Sequence, residues 1–146
     1  MVWWCMKIDD LIYALNKFET AFARLEQATG RVVDDLDRDG VIQRFEFTFE
    51  LLWKTVKIFL EYEGFRCVSP RSCIKEGARR EILLEGEVLL DMLEDRNKAS
   101  HIYDEHTAEE IFARIKNEYV PVIASNIGKI RAQMSPTDSF SENEVD

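Results

Sequence analysis

Residues 41–63 read VIQRFEFTFELLWKTVKIFLEYE, and the spacing of the apolar side chains in this stretch decides the fold class. Ile42, Phe45, Phe49, Leu52, Val56 and Phe59 recur at steps of three and four, the period of a helix. Val41, Thr48, Leu51, Ile58 and Tyr62 form a second row beside them, leaving Glu46, Glu50, Lys54, Lys57 and Glu61 as a narrow polar stripe. A helix apolar around most of its girth is buried on more than one side. It is therefore a central helix, or one that also meets another chain, and Gly64 stops it.

On the N-terminal side, Ile8, Leu11, Leu15, Phe18, Phe22 and Leu25 mark an amphipathic helix from about Lys7 to Thr29, closed by Gly30. The charged stretch from Arg31 to Asp39 reads as an irregular connection with room for a short turn of helix. On the C-terminal side, Ser69-Pro70 is an N-cap followed by proline at the first helical position, opening a helix from Pro70 to about Leu84. After Gly86 a fourth helix runs from Glu87 to about Ala99. The last starts at Thr107, which has capping-box spacing to Glu110, and runs to Met134 with a kink expected at Pro121. No strand pattern and no internal repeat interrupts this order. The expected fold is all-α, an antiparallel up-and-down bundle of about five helices filling residues 1–134. Residues 135–146 carry Asp138, Glu142, Glu144 and Asp146 with no basic residue, and read as an acidic, mobile tail.

The composition agrees with one packed domain: 146 residues, 46% hydrophobic, with 6 Gly and 3 Pro. Lys plus Arg is 19 and Asp plus Glu is 28, a net charge of −9, which disfavours general binding to nucleic acid or anionic membrane. No apolar run approaches the roughly 18 residues of a membrane span, and no signal-peptide pattern is present, so a cytoplasmic chain without membrane contact is expected. Cys5, Cys67 and Cys73 lack CxxC spacing and read as reduced structural thiols, with neither a metal site nor a cofactor indicated.

The densest polar chemistry is Asp95-Arg96-Asn97-Lys98-Ala99-Ser100-His101-Ile102-Tyr103-Asp104. At helical spacing Arg96 and Tyr103 share a face, opened by Ala99 and Ser100, while Asn97, His101 and Asp104 line an adjoining one. Asn97 is placed to hold one ring nitrogen of His101, and Asp104 to pair with its charged form. Such a site offers a proton carrier in His101 and a planar phosphate clamp in Arg96. The plainer reading is a solvated helix end with its cations near the C-terminus. Arg71, Lys75 and Arg79, four apart with Arg80 beside them, form a local positive stripe that meets either phosphates or the bundle's own carboxylates. His106 reads as part of a loop and cap. No Gly-rich phosphate loop or nucleophile elbow is present.

The run Arg96-x4-His101-x-Tyr103 resembles the signature of the HEPN superfamily. With Phe45-Glu46-Phe47-Thr48-Phe49-Glu50-Leu51-Leu52-Trp53-Lys54 and Ser69-Pro70-Arg71, the chain looks more closely like the nucleotidyltransferase substrate-binding family, from about Ile8 to Met134. That resemblance implies a partner, a separate minimal nucleotidyltransferase, in a two-component and toxin–antitoxin-like pair. This chain would be the subunit that contributes to the nucleotide or substrate cleft. The alternative it implies is a metal-independent endoribonuclease toxin, with Arg96 and His101 acting on RNA and its activity silenced by AMP transfer to Tyr103. A homodimer is expected from the second apolar row of residues 41–63.

Overall fold

The computed structural model describes residues 2–101 and 104–134, with side chains from Ile8 onward. Tyr103 and the acidic segment 135–146 lie outside the described residues. Helix α1 spans Val2–Thr29, α2 Asp35–Tyr62, α3 Pro70–Arg79, α4 Gly86–Ala99, α5 Glu105–Arg114 and α6 Val120–Met134. A π-helical stretch, Ile115–Tyr119, joins α5 to α6 without a break, so the described residues form an all-α bundle of five rods.

α2 is the central element, packing against α1, α3, α4 and α5. Phe45, Phe49 and Leu52 on its first apolar row are fully buried, and so are Val41 and Thr48 on the second. The second row meets α1 through small groups. The Thr48 hydroxyl donates to the Arg44 carbonyl at 2.7 Å with the Ala21 carbonyl of α1 at 3.4 Å, and Thr55 repeats this with Leu51 and Ala14 at the same distances. Alanine facing threonine at a seven-residue interval lets the two antiparallel backbones approach closely. Val41 and Thr48 of the second row are thus covered within the chain, whereas Leu51, Ile58 and Tyr62 are half-buried.

Several element boundaries differ from the sequence reading, each for a local reason. α2 begins at Asp35, within the stretch read as a connection, because the Asp34 side chain caps it by accepting from the Asp37 amide at 2.9 Å. α3 has its expected Ser69 cap, in a capping box with Ser72, yet ends at Arg79 rather than Leu84. The chain turns through Glu81 at φ 60°, so that Ile82 and Leu83 fold back and bury. Gly77 permits this: a Cβ there would lie 2.8 Å from Leu83 Cδ1. The last rod is capped by Asp104, not Thr107, since Asp104 accepts from both the Thr107 amide and hydroxyl. The kink expected at Pro121 takes the form of the π-helical stretch just before it. Proline cannot bond the carbonyl four residues back and crowds it, and the wider turn relieves both.

Cys67 and Cys73, expected as free thiols, form a disulfide with Cα atoms 5.2 Å apart. The turn after Gly64 and the Ser69 cap bring the loop alongside the first turns of α3, and both cysteines are buried. A spacing of six residues carries no sequence signature for this closure.

Candidate functional site

The C-terminal end of α4 docks against the polar stripe of α2. Arg96 donates from Nη2 to Glu50 Oε2 at 2.6 Å and from Nη1 to Asn97 Oδ1 at 3.2 Å. Glu50 also accepts from the Trp53 indole at 3.1 Å and pairs with Lys54 at 3.4 Å. Burial tends to raise its pKa, but the Trp53 bond and the charges of Arg96 and Lys54 outweigh this and hold it below the ordinary value. One turn earlier on α2, Glu46 is pushed the other way. Desolvation raises its pKa, and the Arg96 charge only partly offsets that.

Glu46 stands at the edge of a cleft of about 400 Å³ bounded by α2, the last residue of α4 and the start of α5. The α2 wall includes Arg38, Ile42 and Glu46, one turn apart; Ala99, Asp104 and Glu105 face it. Arg38 is only 7% exposed. Its Nε and Nη2 lie 3.4 and 3.2 Å from Asp39, while Nη1 is within 3.4 Å of Asp35 and yet has no hydrogen-bond partner among the described residues. Across the mouth, the neighbouring Asp35 carboxylate raises the Glu105 pKa, by favouring the protonated form as a hydrogen-bond donor and by its charge. Asp104 is lowered by its capping bonds from Thr107. Five carboxylates (Asp35, Asp39, Glu46, Asp104 and Glu105) thus line the cleft with one guanidinium, that of Arg38.

Beneath Arg96 lies a buried polar cluster. Asp95 accepts from Arg114 Nε and Nη2 at 2.7 and 2.8 Å and from the Tyr119 hydroxyl at 2.5 Å. The π-helical stretch carries Tyr119 inward, where its ring stacks on Phe45 with centroids 5.4 Å apart. Burial raises the Tyr119 pKa, and the Asp95 bond and charge raise it further.

The residues singled out from sequence are only partly gathered. Arg96 and Asn97 meet, but in each other's service: the Asn97 oxygen holds the guanidinium, not the imidazole. Asp104 is committed to its cap. His101 is exposed just past the end of α4, and among the described residues no hydrogen bond or ion pair ties its ring to Asn97 or Asp104. His106 does more than expected, with Nε2 2.6 Å from Glu110 on α5. Arg71, Lys75 and Arg79 form an exposed stripe on α3 outside the cleft, and Glu76 there serves Arg80 at 2.7 Å and Arg79 at 4.0 Å. Sequence reading passes over Arg38, and takes Glu46 and Glu50 as a polar stripe and not as site residues. Arg38 had a usable signal, since it extends the row of Ile42 and Phe45 by one turn. No group of three or more His, Cys, Asp or Glu side chains among the described residues is arranged to hold a metal ion.

A family model described as nucleotidyltransferase substrate binding protein like matches residues 8–132. A protein of Thermus thermophilus, known as a crystal structure, is 32% identical over 80% of this chain and 97% of its own, with a TM-score of 0.68. Among curated proteins no relative matches.

Proposed function

The chain belongs to the nucleotidyltransferase substrate binding protein-like family, and from that premise we propose that it is a binding subunit for a separate minimal nucleotidyltransferase. The observation that carries this reading is the extent of the family match, which covers the whole bundle from α1 to the last turns of α6. The cleft between α2, α4 and α5 is this chain's contribution to the shared site. Its surplus of carboxylates disfavours a phosphate, so it takes the acceptor side of the transfer rather than the nucleotide side.

The ribonuclease alternative requires Arg96 to clamp a phosphate. Glu50 and Asn97 occupy the guanidinium instead, so a phosphate would have to displace a carboxylate held at 2.6 Å. This supports the binding role over catalysis on RNA.

The test mixes the purified chain with a minimal nucleotidyltransferase and follows the mass of the complex by light scattering and nucleotidyl transfer by product formation. A complex is expected, and Ala99→Trp, which fills the cleft from the end of α4, is expected to preserve it while cutting transfer at least tenfold. No complex at all, or full transfer with the cleft filled, overturns the reading. Mass spectrometry of the same mixture with ATP and magnesium reads whether Tyr103 gains AMP. That gain is the mark of a toxin–antitoxin-like pair.

A further inference from the structure

A second concave surface lies between α1 and α2, shares no lining residue with the carboxylate cleft, and has the reverse character. Tyr13, Lys17, Thr20 and Arg24 of α1 face Phe47 and Leu51 of α2 across a groove of about 320 Å³. Tyr13 is 66% exposed and Phe47 59% exposed. Lys17 lies over the Tyr13 ring at 5.3 Å, and neither Lys17 nor Arg24 makes an ion pair among the described residues. The groove has no carboxylate in its lining, although the chain carries a net charge of −9. An apolar, aromatic groove with basic residues at its edge fits an extended acidic segment bearing an aromatic side chain.

Such a segment is part of this chain. Residues 135–146, SPTDSFSENEVD, hold four carboxylates (Asp138, Glu142, Glu144 and Asp146), no basic residue and one aromatic ring, Phe140. The point of departure is also suitable. Arg131, in the last turn of α6, bonds Glu19 of α1, and its Nη2 lies 3.4 Å from Asn16 Oδ1. Asn16 is itself part of the groove lining. Phe140 follows Met134 by six residues, which in extended chain reach about 20 Å. A short tether of this kind gives an effective concentration of order millimolar, so even a weak contact is occupied.

We propose that residues 135–146 seat Phe140 in the groove between α1 and α2 of their own chain, with the flanking carboxylates on Lys17 and Arg24. The segment then covers an aromatic patch that would otherwise be open. This inference is independent of the transferase reading, because it concerns a different face and needs no partner.

Zero-length carbodiimide coupling on the full chain, followed by peptide mass spectrometry, tests it. The expected product is an amide bond between Lys17 and a carboxylate of 138–146 within one chain, reduced at least fivefold by Phe140→Ser and by Phe47→Ala. Both substitutions are at exposed or tail positions, and a circular-dichroism melt on each checks that the bundle is intact. Equal coupling of the tail to Lys54, Lys75 and Lys116 overturns the proposal, as does Lys17 coupling that is unaffected by Phe140→Ser. Bonds found only between isotope-labelled and unlabelled chains overturn the intramolecular assignment and give the groove to a second copy.

Discussion

Removing the Asp95 carboxylate tests how far the end of α4 depends on the polar cluster beneath it. In Asp95→Ala the Arg114 fork loses both acceptor oxygens and the Tyr119 hydroxyl loses its partner. Breaking a buried pair by deleting one member costs about 3–5 kcal/mol. Arg114 remains 35% exposed in its side chain and can turn toward water, which places this case at the lower end. Tyr119 has no such escape, being fully buried, and an orphaned hydroxyl costs about 1–3 kcal/mol. Together these give a loss of about 3 kcal/mol, or a fall in Tm of about 6–12 °C for a chain of this size. Tyr119→Phe leaves the Arg114–Asp95 pair whole and loses only about 1.5 kcal/mol. In the Asp95→Ala background the same change is close to neutral, because the hydroxyl it removes is already unpaired. Urea and thermal unfolding of the four proteins in the cycle measure this. A loss below about 1 kcal/mol for Asp95→Ala, or strictly additive single effects, refutes the reasoning. The pH dependence gives a second check. The Tyr119 pKa is raised on folding, so its contribution is complete below the phenol's ordinary value of 10 and is lost as the pH climbs beyond it. Tyr119→Phe is accordingly expected to lose less stability than the parent between neutral and strongly alkaline pH.

Two further outcomes follow from the packing. Gly77→Ala places a methyl 2.8 Å from Leu83 Cδ1 and 3.1 Å from Val56 Cγ1. The overpacking outweighs the better helix propensity of alanine and lowers stability by about 1 kcal/mol by urea unfolding; a more stable variant would show that Leu83 does not close over α3. Glu46→Gln removes a carboxylate whose pKa is raised by burial. Its neutral form is favoured by folding, an advantage present below the ordinary value of 4.5 and lost as the pH rises through the folded value. The variant is therefore expected to melt higher than the parent at pH 7 and to match it in acid. A variant that is less stable at pH 7 means the charged carboxylate is a structural partner of Arg96.

Residues 41–63 determine by themselves a helix apolar on more than one side, because helical period and apolar spacing are local properties; that this helix is the central one is decided by packing. Ser69-Pro70 likewise opens α3 without help, since a cap needs only its own next turn. Tertiary structure decides what local period cannot. Arg96 meets Glu50 across 46 residues, and Arg114 meets Asp95 across 19; each pair joins two rods whose rotation is set by the whole core. The carboxylate cleft is assembled in the same way, from the side of one helix and the ends of two others. The short motif around Arg96 and His101 therefore marks a place on the chain, whereas its partners are chosen by packing. Glu50 claims the guanidinium, the Asp104 carboxylate turns to its own helix cap, and the imidazole is left facing solvent. Sequence spacing fixes which side chains share a face, and the docking of helices, governed by apolar burial, fixes what that face meets.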